Sequence, residues 1–170
     1  MTETLYVIFF TVLAVACELI LGSLGLFLPM TAVFLFYAAI VFGWRTGIWI
    51  AVIASCGLDL ASGALLPRHL PGFIIVIALA WFWLNKVESE SISLHLIPGA
   101  LIAPAVWLSI LPFFPGSLFT NVFSQLPGVV TAAFCCAILL PLEIFIFDTM
   151  NEKLGIDLYT NVKMRLKNQK

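Results

Sequence analysis

A chain of 170 residues that is 62% hydrophobic and only 10% charged, with a mean hydropathy of +1.13, lies outside the composition of soluble domains and reads as an integral membrane protein. Repeated crossing of a bilayer uses most of that length, which leaves room for one helical membrane domain and a small tail. The net charge of −1 says nothing useful about partners, because in such a chain the placement of charge is more informative than its sum; nucleic acid is set aside.

In chain order, residues 5–28 form a first apolar segment long enough to span a ~30 Å hydrocarbon core at ~1.5 Å per residue. Ala14-Val15-Ala16-Cys17 loosely matches a lipoprotein cleavage site, but no basic residue precedes it, so it is read as part of a retained helix. Gly22, Gly25 and Pro29 mark a turn, and 30–42 is a second apolar run, short enough to need local thinning of the bilayer. Gly43-Trp44-Arg45-Thr46-Gly47 is a tight polar link with interfacial residues. A third helix covers 48–66 and carries Asp59 past its middle.

Pro67 to Gly72 is a turn by composition, and 71–85 is the fourth helix, ending in Trp81, Trp83, Asn85 and Lys86. The fifth, 94–111, contains Pro98 and Pro104, which membrane helices tolerate when neighbours satisfy the freed backbone groups. Residues 112–127 hold three prolines and four phenylalanines without a charge and predict an irregular interfacial stretch. The sixth helix, 126–150, carries Pro141, Glu143 and Asp148, and a basic tail occupies 151–170.

Six helices with both termini on one side place Arg45, Lys86, Lys153, Lys163, Arg165, Lys167 and Lys170 together and leave Arg68 alone opposite. By the positive-inside rule the termini are cytoplasmic and the Arg68 turn faces outward. The four cysteines, Cys17, Cys56, Cys135 and Cys136, sit in apolar runs without metal-ligand spacing and are read as packing residues. His69 and His95 are expected on opposite faces, too far apart to share a metal. No cofactor or metal is expected.

Four carboxylates remain in the apolar runs: Glu18, Asp59, Glu143 and Asp148. An acidic group at the centre of a membrane helix costs roughly 2.5–3.5 kcal/mol, so each should face the bundle, a wet cavity or the interface. Glu18 and Glu143 are read as packing groups and Asp148 as hydrated at the cytoplasmic end. Asp59 falls in the outer third of the membrane within Gly57-Leu58-Asp59-Leu60-Ala61-Ser62-Gly63, where Ser62 and Gly63 can end or bend the helix. It either pairs with Arg68 or faces a small outer water pocket. Small residues at Ala51, Ala54, Ser55 and Gly57, or at Ala132, Ala133 and Ala137, are candidate surfaces for close docking of a partner helix.

The run from Thr46-Gly47 through Gly57 to Gly63, with Leu66, Arg68 and Leu70 after it, resembles the central signature of the rod shape-determining MreD family. Pro29 before a short aromatic helix, Arg45 before Gly47, Pro141 in the last helix, a basic tail and Glu18 near the end of the first helix are similar to the same pattern. Pro67 and Pro71 depart from it, as does the proline-rich, aromatic stretch before the last helix. The resemblance implies a non-enzymatic, multi-pass scaffold of the bacterial inner membrane. It would bind MreC and, through the complex, couple MreB to RodA and a penicillin-binding protein in lateral-wall peptidoglycan synthesis, with Glu18, Pro29, Arg45, Gly47, Gly57, Asp59, Ser62, Gly63, Arg68, Pro141 and Glu143 as structural or partner-binding positions. The alternative is a vitamin-importer S component, similar in its six-helix plan, with Asp59, Arg68 and His69 lining an outward pocket. Proton-coupled transport through Glu18, Asp59 and Glu143 is a third reading.

Overall fold

A computed structural model describes residues 2–64, 67–86, 92–113 and 118–153. The basic tail beyond residue 153, and most of the polar loop expected between the fourth and fifth helices, lie outside the described residues. Among the described residues the chain is all-helical, with six α-helices and two short 3-10 turns.

The helices are α1 (Thr2–Ser23), α2 (Met30–Phe42), α3 (Trp44–Ala61), α4 (Leu70–Lys86), α5 (Leu96–Ile110) and α6 (Leu118–Lys153). Their centre is α2, the segment that looked too short to span. A helix that is apolar on every side has no face suited to water and belongs inside. Every residue from Thr31 to Val41 is buried accordingly. The other five surround it in the order α1, α3, α4, α5, α6, each packed on the next. The ring is open between α1 and α6, which are bridged by side chains: Tyr6 and Phe10 rest on Phe147 with ring centroids 6.0 and 4.7 Å apart.

Several boundaries depart from the sequence expectation, each for a local reason. The first helix stops at Ser23 rather than near Leu28, because the Leu26 and Gly25 N–H groups fold back onto the carbonyls of Leu21 and Gly22, a Schellman closure. The link at 43–47 contracts to one residue: Gly43, at φ +88°, turns the chain from α2 into α3, in a region that side chains disfavour. Gly47 therefore lies inside α3, where a Cβ would stand 3.2 Å from that of Ala39 on α2. Arg45 stays exposed in the first turn, its guanidinium 5.5 Å from the Trp44 ring centroid.

Pro98 falls in the first turn of α5, where its missing N–H leaves no intrahelical bond unmade. The irregular stretch expected at 112–127 is helical from Leu118 onward, with Pro127 inside α6. Trp107 on α5 donates to Gln125 Oε1 on α6 at 2.9 Å and ties down that first portion.

Two helices, Leu5–Ser23 and Ser124–Met150, are long and apolar enough to cross a membrane; Met30–Phe42, Leu70–Asn85 and Leu96–Ile110 are apolar but shorter. The ring exposes large apolar side chains on all five of its members, among them Phe9, Ile53, Ile74, Leu108 and Phe134. Exposed apolar surface on this scale marks contact with lipid or protein.

Gly99 of α5 lies tight against the α6 backbone, where a Cβ would stand 2.6 Å from the Cys136 carbonyl oxygen and 2.8 Å from Ala137 Cα. Both are backbone atoms and cannot move aside cheaply. Gly99→Ala is therefore expected to cost about 1–3 kcal/mol. Gly22→Ala, which meets nothing within 4 Å, should stay within about 0.5 kcal/mol of the parent. Thermal unfolding of the purified protein in detergent measures the contrast.

Candidate functional site

One end of the bundle gathers the end of α1, the start of α2, the end of α3 and the start of α4. Helix termini carry unbonded N–H and C=O groups, and inside a bundle those groups need protein partners. Glu18, Asp59, Ser62 and His69 collect there for that reason.

The α3 terminus is closed by its own sequence. Ala64 N–H bonds to the Asp59 carbonyl at 2.8 Å and Gly63 N–H to the Leu60 carbonyl at 3.2 Å, with Gly63 at φ +69°. This is the Schellman pair, and its left-handed residue is favourable only as glycine. The Ser62 hydroxyl adds a bond to the Asp59 carbonyl at 3.1 Å. The expected helix stop at Ser62-Gly63 thus lies where the sequence placed it, and residues 62–64 fall outside the helix expected to reach 66.

The Asp59 side chain is buried, and its Oδ1 lies 2.6 Å from His69 Nδ1. The expected partner, Arg68, is not the one used: its Nε is buried without a hydrogen-bond partner among the described residues. The chain reversal between α3 and α4 brings His69, ten residues on, against Asp59 and joins the two helix ends. His69 also starts α4, its carbonyl accepting from Phe73 N–H at 3.1 Å.

Glu18 reaches across from α1 and accepts the Thr31 N–H at 2.9 Å. Pro29 stands at the N-cap of α2 without a capping side chain, so the cap comes from another helix. A carboxylate at a helix N-terminus is favoured by the helix dipole and by the orphan N–H groups. His69 lies within electrostatic range of Glu18, which makes Glu18, Thr31, Asp59 and His69 one neighbourhood. Asp59 Oδ2 is buried there without a hydrogen-bond partner among the described residues. The arrangement can lock four helix ends together and has polar valence left over.

The remaining positions lie elsewhere. Gly57 faces Val15 of α1 at ordinary contact distance. Arg45 and Gly47 are at the opposite end of α3. Pro141 and Glu143 are on α6, and Glu143 lines a crevice against α1 and α2. Ala51, Ala54, Ser55 and Ala132 are buried inside the bundle and Ala137 packs on Gly99. Ala51, Ala54, Ser55 and Ala132 thus let this chain's own helices approach. His69 and Thr31 were not singled out as the partners of Asp59 and Glu18. The signals for them are a histidine two residues after Pro67 and a helix start at Pro29 with no capping residue of its own.

His69→Leu strands the buried Asp59 and is expected to destabilise by about 3–5 kcal/mol. The double variant with Asp59→Leu should recover much of that loss, and Arg68→Ala should cost clearly less. Thermal unfolding in detergent reads all three. An equal loss for Arg68→Ala would make Arg68 the operative partner.

No family model, curated protein or solved structure matches this chain.

Proposed function

We propose that the chain is a non-enzymatic, MreD-like membrane scaffold of the bacterial cell-elongation complex, with MreC as direct partner and MreB, RodA and a penicillin-binding protein within the same assembly. The observation that carries this reading is the fate of the signature stretch. Asp59, Ser62 and Gly63, with Glu18, are spent on capping helices and joining their ends, a structural use that suits a scaffold. The apolar exterior of all five outer helices supports a protein whose working surfaces are in the bilayer.

In the same reading the bundle is multi-pass, with six helices crossing or entering the inner membrane and both termini cytoplasmic. The central α2 is enclosed by the others and need not match the lipid thickness itself. The shorter α4 and α5 approach the ~17-residue lower limit for a span. The distribution of Arg and Lys supports the orientation. A reporter fused after Lys86 or Lys170 should be active only in its cytoplasmic form, and one inserted at Arg68 only in its external form; the reverse pattern overturns the topology.

A second reading, a small-molecule-binding S component, draws on the buried Asp59 Oδ2 and Arg68 Nε left without partners among the described residues at the outer end. A pull-down of the tagged full chain from bacterial membranes, with mass-spectrometric identification, separates the two. MreC and cell-wall synthases are the expected recovery. Recovery of an ATPase module without them would replace the scaffold by the importer.

A further inference from the structure

The gap in the helix ring is built as a groove. On α1, Phe10, Leu13 and Cys17 line it, at helical spacings that put them on one face. On α6, Leu139, Glu143 and Ile146 do the same, and Phe34 of the central helix is also in its wall. The cavity measures about 220 Å³, below the ~300 Å³ at which small-molecule pockets begin. Two facing helix ridges with a trough between them are the complement of a ridge on a third helix.

Glu143 is the one ionisable carboxyl in that wall. It has no hydrogen-bond partner among the described residues, and neither does the buried hydroxyl of Tyr6, which lies within electrostatic range of it. A lipid acyl chain filling the groove would leave the Glu143 carboxyl unsatisfied at a cost of several kcal/mol. Glu143 stands seven residues from Met150, the end of the apolar span, which is about 10 Å along the helix and out of reach of a lipid headgroup held at the interface. The occupant that fits is apolar along its length and carries one donor at that depth.

We propose that the α1–α6 groove seats a transmembrane helix of the partner protein, which presents an amine, amide or hydroxyl donor to Glu143. The inference rests on the scaffold reading, with MreC as that partner. Donors of this kind between membrane helices contribute about 0.6–2 kcal/mol, a three- to thirtyfold effect on association.

The test is photo-crosslinking in cells that co-express the full chain with MreC. A photoreactive amino acid is placed at Leu13 or Leu142 in the groove walls, or at Ile53 or Phe134 on outer faces that are 66% and 70% exposed. Crosslinks from the groove positions should map to a membrane segment of MreC with at least fivefold higher yield than from the outer ones. Glu143→Leu should cut that yield at least threefold, and Glu143→Gln, which keeps a hydrogen-bonding group, should retain most of it. The positional contrast is read in the otherwise unaltered chain, so it decides even where a Glu143 variant folds poorly.

Groove crosslinks that go to lipid, to a small molecule or to a second copy overturn the proposal, as do equal yields from Ile53 and Phe134. MreC that co-purifies but crosslinks only from outer faces overturns this inference and leaves the scaffold reading standing. MreC that does not co-purify at all overturns the scaffold reading and this inference with it.

Discussion

The start of α2 lies among other helices, and its first N–H groups must be met there. The Glu18 carboxylate on the Thr31 N–H is the contact that makes a buried central helix tenable. An unmet donor in an apolar surround costs several kcal/mol, and Pro29 at the cap supplies no side chain that could help. Placing the acid on α1 sets the height of α1 against α2. The His69–Asp59 pair sets the height of α4 against α3. With both in place, the ends of four helices are held in one plane, and the apolar contacts beneath them can be tight without being directional.

Beneath that plane, association inside the bundle rests on shape. For helices in a bilayer, lipid tails are as apolar as leucine, so little is gained by hiding leucine from them and close contact supplies the attraction. The chain meets this with small residues at helix crossings, Gly47 against Ala39 and Gly99 against Cys136 and Ala137, and with aromatic rings where α1, α2 and α6 meet. The bulky side chains outside the ring remain free to contact lipid or protein.

Much of the fold is legible in the sequence where a segment is bracketed by its own chemistry. Pro29 and Gly43 delimit α2, and Ser62-Gly63 stop α3. What escapes is decided by neighbours. Trp44 to Gly47 looks like a linker because it is polar, yet its glycine is small enough to slip under α2 and let the helix begin early. Pro127 looks like a break, but α6 continues through it alongside α5. For the site, the cost of a buried carboxylate marked Glu18, Asp59 and Glu143 correctly as residues needing an account. Their partners were not legible. Charge alone favours Arg68 over His69, and only the path of the chain between α3 and α4 reverses that order; the Thr31 N–H is a backbone group with no signature in its residue type.

The openness between α1 and α6 has a consequence for biosynthesis. Helices emerge in order and early ones assemble before late ones are made. Gly43 makes α2 and α3 a hairpin with almost no slack, so α2 docks as one arm of that hairpin, with α1 already beside it. Its remaining flank belongs to α6, which is made after the other described helices. Until then the most apolar of the described helices has one side bare, and the seam that α6 leaves along α1 is where the first- and last-made of them face each other.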